Sequence, residues 1–191
     1  PYDILERARE IAPVLSPNGI VVSVAAGITR EALEKALPEG QPAVRCMPNT
    51  PSQVGRGVLA VSIGQTVTEE QQEAVKQVLG PAGKVVEVAE HQMGAVTAVS
   101  GSGPAYAFLL AETMAATGVK LGLDEKTATE LAAATVAGAG YLLEADPNPQ
   151  KLRKEVTSPK GTTDRAISTF VDHGIFELTE SAMRACVQRN E

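Results

Sequence analysis

The first half of the chain alternates short apolar runs with segments whose apolar residues recur at helical spacing. A helical pattern runs from Ile4 to Leu15 and ends at turn residues 16–19. Thr29 and Thr68 stand where N-capping residues are expected, ahead of two further helical patterns. Strands are predicted at residues 20–24, 43–47, 57–63 and 84–88. Because strands that alternate with helices are typical of α/β layer structures, we predict a parallel sheet with helices packed on it.

The second half of the chain has no further strand pattern and is rich in alanine. Helices are predicted at residues 104–117, 126–145, 149–156, 162–173 and 175–190. Gly118, Gly122 and Gly174 are interpreted as the glycines that end three of these segments. We therefore predict an α/β domain at residues 1–90, followed by an all-helical domain at residues 91–191.

Composition and charge exclude several classes of protein. The 191 residues are 43% hydrophobic and 21% charged, which argues against disorder. The formal net charge is −6 and the basic residues are scattered, so no nucleic-acid partner is predicted. The charge-free run at residues 131–143 is shorter than the roughly 18 to 20 residues of a membrane span. Two distant cysteines and two histidines predict neither a disulfide framework nor a metal site, and the expected compartment is the cytoplasm.

The segment Ser158-Pro159-Lys160-Gly161-Thr162-Thr163 runs directly into a predicted helix. A helix start offers free backbone N–H groups and the positive end of the helix dipole, so a carboxylate could bind there. The alternative is that Ser158, Thr162 and Thr163 only cap the helix. The residues by themselves leave both interpretations open.

Two turns follow neighbouring predicted strands and form a second candidate site. They are Ala25-Ala26-Gly27 and Met47-Pro48-Asn49-Thr50. In open α/β sheets ligands lie beyond the carboxyl ends of the strands, and small side chains would let a flat ring approach the backbone. The alternatives are a tight strand-to-helix turn at the first place, and at the second a rigid turn in which Asn49 bonds its own backbone.

Four segments together resemble the Δ1-pyrroline-5-carboxylate reductase family, and they follow one another in the family's order and spacing. They are VVSVAAGIT at 21–29, RCMPNTP at 45–51, AVTAVSGSGPAYAF at 95–108 and VTSPKGTT at 156–163. The resemblance implies the C-terminal part of a Rossmann-like, NAD(P)-binding domain followed by a helical dimerisation domain. It also implies reduction of 1-pyrroline-5-carboxylate to L-proline with NADPH or NADH, the last step of proline biosynthesis.

The resemblance also assigns roles to the candidate residues. Ser158, Gly161, Thr162 and Thr163 would bind the substrate, with Thr163 as the catalytic residue near the ring nitrogen. The turns at residues 25–27 and 47–50 would flank the nicotinamide, with the Asn49 carboxamide orienting the ring or a water. A homodimer or a higher homo-oligomer is implied, and the small residues at 131–140 suit closely packed helices, although a monomer core remains an alternative.

The chain departs from the family pattern in two places. No glycine-rich GxGxxG loop occurs in these residues at the family's position, so we expect an N-terminal portion to precede Pro1 and the dinucleotide to bind poorly without it. Lys160 replaces the first glycine of the family's SPGGTT, and we therefore expect an ordinary backbone conformation there.

Two other functions stay open at this point. The missing loop favours a non-catalytic helical dimerisation module that binds an anionic metabolite. A β-hydroxyacid dehydrogenase would need a lysine base on the first long helix of the helical domain, and residues 104–117 contain none.

Overall fold

The computed structural model of the chain describes residues 3–190. Two compact units are present. One runs to Pro104 and takes in the chain from Met183 onward, and the other is Ala105–Ala182. The domain boundary near residue 90 stays a prediction.

The first unit contains a four-stranded sheet. Its strands are β1 (Val21–Ser23), β2 (Ala43–Met47), β3 (Gly57–Ile63) and β4 (Gly83–Glu87). Its helices are α1 (Ile4–Ile11), α2 (Arg30–Ala36), α3 (Glu69–Leu79) and α4 (Met93–Val96). Single 3₁₀ turns lie at Ala12–Val14, Thr50–Val54, Gly80–Ala82 and Glu90–Gln92, and a π turn lies at Thr97–Gly101.

Capping side chains begin two of these helices where the sequence predicts them. The Thr29 hydroxyl accepts a hydrogen bond from the Ala32 amide at 3.1 Å and starts α2. Thr68 and Gln71 form a reciprocal capping box at α3, with N–O distances of 2.9 and 3.3 Å. These bonds satisfy amide groups that the first turn of a helix leaves without a partner.

The sheet has the order β1-β2-β3-β4. Strands β1 and β2 are parallel, as are β3 and β4, but β2 and β3 are antiparallel. The prediction of an α/β sheet is confirmed, whereas the wholly parallel arrangement is wrong at this one pair. The link between β2 and β3 spans residues 48–56, and a parallel crossover needs about a dozen residues or more.

Both faces of β2 are buried. Its alternate residues enter two apolar clusters, because successive side chains of a strand point to opposite faces. Val44 and Cys46 pack with Leu59, Val61, Val67 and Val75. Ala43 packs with Ala8, Leu33, Ala36 and Leu37. The strand that leads into the second candidate turn is therefore held from both sides.

The remaining helices follow in order along the chain. They are α5 (Gly103–Lys120), α6 (Glu125–Ala145), α7 (Pro149–Glu155), α8 (Thr162–Asp172) and α9 (Ile175–Asn190). No helix in the described part of the chain is both long and apolar enough to span a bilayer.

Glycines end α5 and α8, although one predicted helix end is wrong. Gly122 and Gly174 have φ of 106° and 75° and follow the two helices, as expected of helix-ending glycines. Gly118 instead lies inside α5. A Cβ at Gly118 would come within 3.3 Å of the Ala128 Cβ, so this glycine lets α6 pack closely rather than ending a helix.

Candidate functional site

The two candidate turns of the first unit leave the sheet at the same edge. Parallel pairing sets Val22 opposite Val44 and Ser23 opposite Arg45, so β1 and β2 end side by side. The turns at 25–27 and 47–50 begin directly after these ends. This is the edge at which ligands bind in open α/β sheets.

The first turn presents its backbone to solvent. The Ala25 amide lies 3.4 Å from the Oγ of buried Ser23, while Ala26 and Gly27 are exposed. Gly27 has φ of 77°, and a Cβ added there would meet no atom within 4 Å. Backbone conformation, rather than crowding, therefore favours glycine, and the space above the turn is open.

The second turn is fixed by the carboxamide of Asn49. Its Oδ1 accepts a hydrogen bond from the Val58 amide at 2.9 Å. Its Nδ2 lies 3.1 Å from the carbonyl oxygen of Ser100 and 3.3 Å from the hydroxyl of the same residue. The carboxamide thus bonds groups of β3 and of the π turn, and orientation of a ring or a water by Asn49 stays a prediction.

The π turn at Thr97–Gly101 lies beside this second turn and was not predicted. The Ser102 amide donates to the Thr97 carbonyl at 2.8 Å, five residues back. A Cβ at Gly101 would lie 2.9 Å from the Met47 Cε, so the methionine methyl rests on this glycine. Gly101 and Gly103 were the sequence signal for close packing here, because glycine permits close approach of another segment. Single π turns are frequent at functional sites.

A partly buried ion pair joins β2 to the segment before the π turn. The Arg45 guanidinium lies 2.7 Å from Glu90 Oε1, and the Arg30 amide lies 3.1 Å from the same oxygen. Burial raises the pKa of Glu90, but the hydrogen bonds from Arg30, Arg45 and Ser62 and the Arg45 charge outweigh it and hold that pKa below its ordinary value. An arginine inside an apolar strand was the sequence signal for a buried acidic partner.

A groove of about 590 Å³ lies beside this ion pair. Its polar lining comes from Arg30, Ser62, Gln65, Glu87, Glu90 and Gln92. The Glu90 Oε2 atom is buried without a hydrogen-bond partner among the described residues. The lining carries both signs of charge.

The loop at residues 158–163 lies in the second unit and forms a tight turn. The Gly161 amide donates to the Ser158 carbonyl at 2.9 Å, and Lys160 between them has φ of 61°. The expectation of an ordinary backbone at Lys160 is therefore wrong. Pro159 at the second position and a positive φ at the third are the type II turn pattern, and the Asp164 carboxylate holds the Lys160 amide at 2.9 Å.

No side chain caps the start of α8. Gly161 is the N-cap residue, with φ of −77° and ψ of 175°, and it has no side-chain cap. The first backbone N–H groups of the helix and its dipole therefore face the loop without a capping hydroxyl. Thr163 is half-buried and Thr162 is exposed. This geometry suits an anion.

The predicted site residues thus fall into two groups. The structure brings the turns at 25–27 and 47–50 together at one sheet edge of the first unit. Ser158 and Gly161 lie in the loop before α8, and Thr162 and Thr163 lie in the first turn of that helix, all in the second unit.

Comparisons with known proteins agree along the whole chain. Residues 90–191 match the family model described as pyrroline-5-carboxylate reductase dimerisation. The chain is 45% identical to a pyrroline-5-carboxylate reductase from Corynebacterium melassecola, covering 100% of this chain and 72% of the relative. A solved pyrroline-5-carboxylate reductase from Coxiella burnetii is 36% identical with a TM-score of 0.94, and the match covers 100% of this chain and 72% of that one. Plasmodium falciparum pyrroline carboxylate reductase, solved with NADP bound, is 27% identical with a TM-score of 0.85 over 97% of this chain and 74% of that one.

Proposed function

This chain belongs to the pyrroline-5-carboxylate reductase family, and we propose that it reduces the C=N bond of 1-pyrroline-5-carboxylate to give L-proline. The 45% identity to a named reductase over the entire chain carries this proposal. The reductant is NADPH or NADH, and the reaction is the last step of proline biosynthesis. We place this enzyme in the cytoplasm.

The dinucleotide supplies the hydride, so the protein's task is to position the two reactants. The turns at 25–27 and 47–50 flank the nicotinamide. The exposed backbone at Gly27 fits this role, because the space where a Cβ would stand is empty and a flat ring can approach. Met47, Pro48 and Thr50 form the facing turn, which the bonds of Asn49 hold rigid.

The loop before α8 binds the substrate carboxylate. The Gly161 amide is used inside the turn, so the Thr162 amide and the helix dipole attract the anion, and Gly161 lets the backbone approach it. The Ser158 carbonyl closes the turn. The Thr163 hydroxyl would bond near the ring nitrogen. Hydride adds to the ring carbon, and the nitrogen carries a proton that enters on the protonated iminium or through water.

The helical part of the chain forms a homodimer. Large apolar side chains on its helices are exposed in the single chain, among them Phe108, Leu109, Tyr141, Leu142, Phe176 and Leu178. Side chains of this size rarely stay in water over so wide an area, and a second copy would cover them.

Thr163→Ala tests the substrate-site assignment in the protein expressed from its complete reading frame. Loss of a hydrogen bond to a charge-bearing substrate should lower kcat/KM by about 10- to 150-fold, and Thr163→Ser should retain most activity. Steady-state kinetics and melting temperature are measured together. Thr162→Ala, at the exposed neighbour, is the matched control and keeps the backbone amide.

Two results would contradict the proposed function or its substrate site. A wild-type protein that consumes no NAD(P)H with the substrate would overturn the reductase and leave a non-catalytic dimerisation module. A Thr163→Ala variant with unchanged kcat/KM and only a lower melting temperature would limit the threonine to a structural role.

A further inference from the structure

The side chain of Asn49 connects two segments that lie 51 residues apart in the chain. Its Nδ2 donates to the Ser100 carbonyl and hydroxyl, at 3.1 and 3.3 Å, while its Oδ1 accepts from the Val58 amide. Both ends of the carboxamide are therefore used inside the first unit. A group with its donors already engaged is poorly suited to bind a ligand directly.

The sequence explains why the Ser100 carbonyl is available to Asn49. In a regular α-helix this carbonyl would accept a hydrogen bond from the residue four positions later, which is Pro104. Proline has no N–H, so that bond cannot form. Asn49 supplies a donor from another segment in its place.

A second contact joins the same two segments. The Met47 methyl rests on Gly101, where a Cβ would lie 2.9 Å from Cε. The widened turn is closed by the 2.8 Å bond from Ser102 to Thr97, and the buried Thr97 hydroxyl is turned to the Met93 carbonyl at 2.9 Å. The π turn is thus a fixed surface against which residues 47–50 are held.

We propose that Asn49 and Ser100 form a positioning clamp, which sets the dinucleotide affinity by holding residues 47–50 against the π turn. The inference rests on the proposed function, since it takes that turn as one wall of the nicotinamide site. Neither side chain of the clamp touches the ring. Because the clamp lies in the first unit and the carboxylate loop in the second, its loss acts on the dinucleotide rather than on the imine substrate.

Two variants at residue 49 separate the arms of the clamp. Asn49→Asp keeps an acceptor for the Val58 amide but removes the Nδ2 donors to Ser100, and Asn49→Ala removes both arms. In the protein expressed from its complete reading frame, each should raise the KM for NAD(P)H by about 10-fold, because small misplacements of a binding wall are costly. The kcat and the KM for pyrroline-5-carboxylate should change less than about 3-fold. Ser100→Ala keeps the carbonyl acceptor and should have a smaller effect in the same direction.

Gln41 offers a matched control. Its buried carboxamide also donates to two backbone carbonyls, those of Ser16 and Gly19, but it precedes β2 at the other end of the strand. Gln41→Ala should lower the melting temperature and leave the KM for NAD(P)H unchanged. The contrast distinguishes positioning from general stabilisation.

The outcomes separate this inference from the proposed function. An active wild type whose Asn49→Ala and Asn49→Asp variants lose melting temperature only, as Gln41→Ala does, would overturn the clamp and leave the reductase in place. An inactive wild type would overturn both. A selective rise of the dinucleotide KM in both Asn49 variants supports the clamp.

Discussion

Lys160 has a backbone conformation that side chains with a Cβ normally avoid. Its φ is 61°, and no other non-glycine residue in the described part of the chain has a positive φ. Left-handed backbone costs about 1 to 2 kcal/mol at such a residue. The turn closed by Gly161 and the bond from the Lys160 amide to Asp164 compensate for that cost.

Lys160→Gly should therefore stabilise the protein. Glycine removes the left-handed strain but adds freedom to the unfolded chain, so we expect a net gain of about 0.5 to 1 kcal/mol, or about 1 to 4 °C in melting temperature. Lys160→Ala is the control, because it removes the charge and keeps the strain. An equal rise in both variants would place the effect in the side chain instead.

At the scale of single residues, the sequence predicted some conformations and not others. Thr29 and Thr68 could be predicted as caps because their side chains bond amides three residues away. The left-handed backbone of Lys160 was not predicted, because a lysine in place of the family's glycine suggested a different turn. Pro159 in front of it was the stronger signal, because it favours a turn whose next residue has positive φ.

Strands β2 and β3 match their predicted bounds residue by residue. Both are mostly apolar, and Pro48 follows β2 while Gly57 begins β3, so the bounds of both strands are clear. The antiparallel pairing follows from the short link between the two strands. The apolar pattern of a strand predicts its bounds but not the direction in which it pairs. The π turn could not be predicted, because five residues are too few to distinguish its side-chain spacing from that of an α-helix.

The Arg45–Glu90 ion pair should make the link between β2 and the following segment sensitive to acid. The pKa of Glu90 is lower in the folded protein than in the unfolded chain. Its contribution is therefore fully present above the ordinary carboxyl pKa and is lost as the pH falls toward the lowered folded value. Glu90→Gln should cost about 2 kcal/mol at pH 7 and progressively less in acid.

Denaturant unfolding of wild type and variant from pH 7 to pH 3 measures this difference. Glu31→Gln is the control, because Lys35 lowers the pKa of Glu31 through a fully exposed pair that should add little stability. A Glu90→Gln penalty that stays constant over this pH range would show that the pair is not coupled to folding.

On the scale of the whole molecule, the exposed apolar side chains of the helical part predict the oligomeric state. Light scattering at micromolar concentration should give twice the chain mass. Leu142→Glu, on α6, should shift the protein toward monomer, because a buried charge without a partner is costly. Val78→Glu, at an even more exposed apolar residue on α3, should leave the dimer intact. A monomeric wild type would contradict the prediction.

The succession from a sheet with helices to helices alone was the feature of the fold that the sequence predicted best. The last strand, β4, ends at Glu87, and helices follow through the rest of the described residues. The site was harder, because the sequence pattern does not identify the partners of a side chain. The bonds of Asn49 to Ser100 and of Arg45 to Glu90 both join positions more than 40 residues apart.

The π turn has a consequence for helical phase. Each residue of an α-helix advances the chain by about 100° around the axis, so one extra residue would rotate everything that follows by that angle. A widened turn at Thr97–Gly101 absorbs the extra residue locally. Deleting one residue there would return the segment to α-helical phase and rotate the Ser100 carbonyl away from Asn49. The length of the chain at this turn therefore determines which backbone atoms face β2.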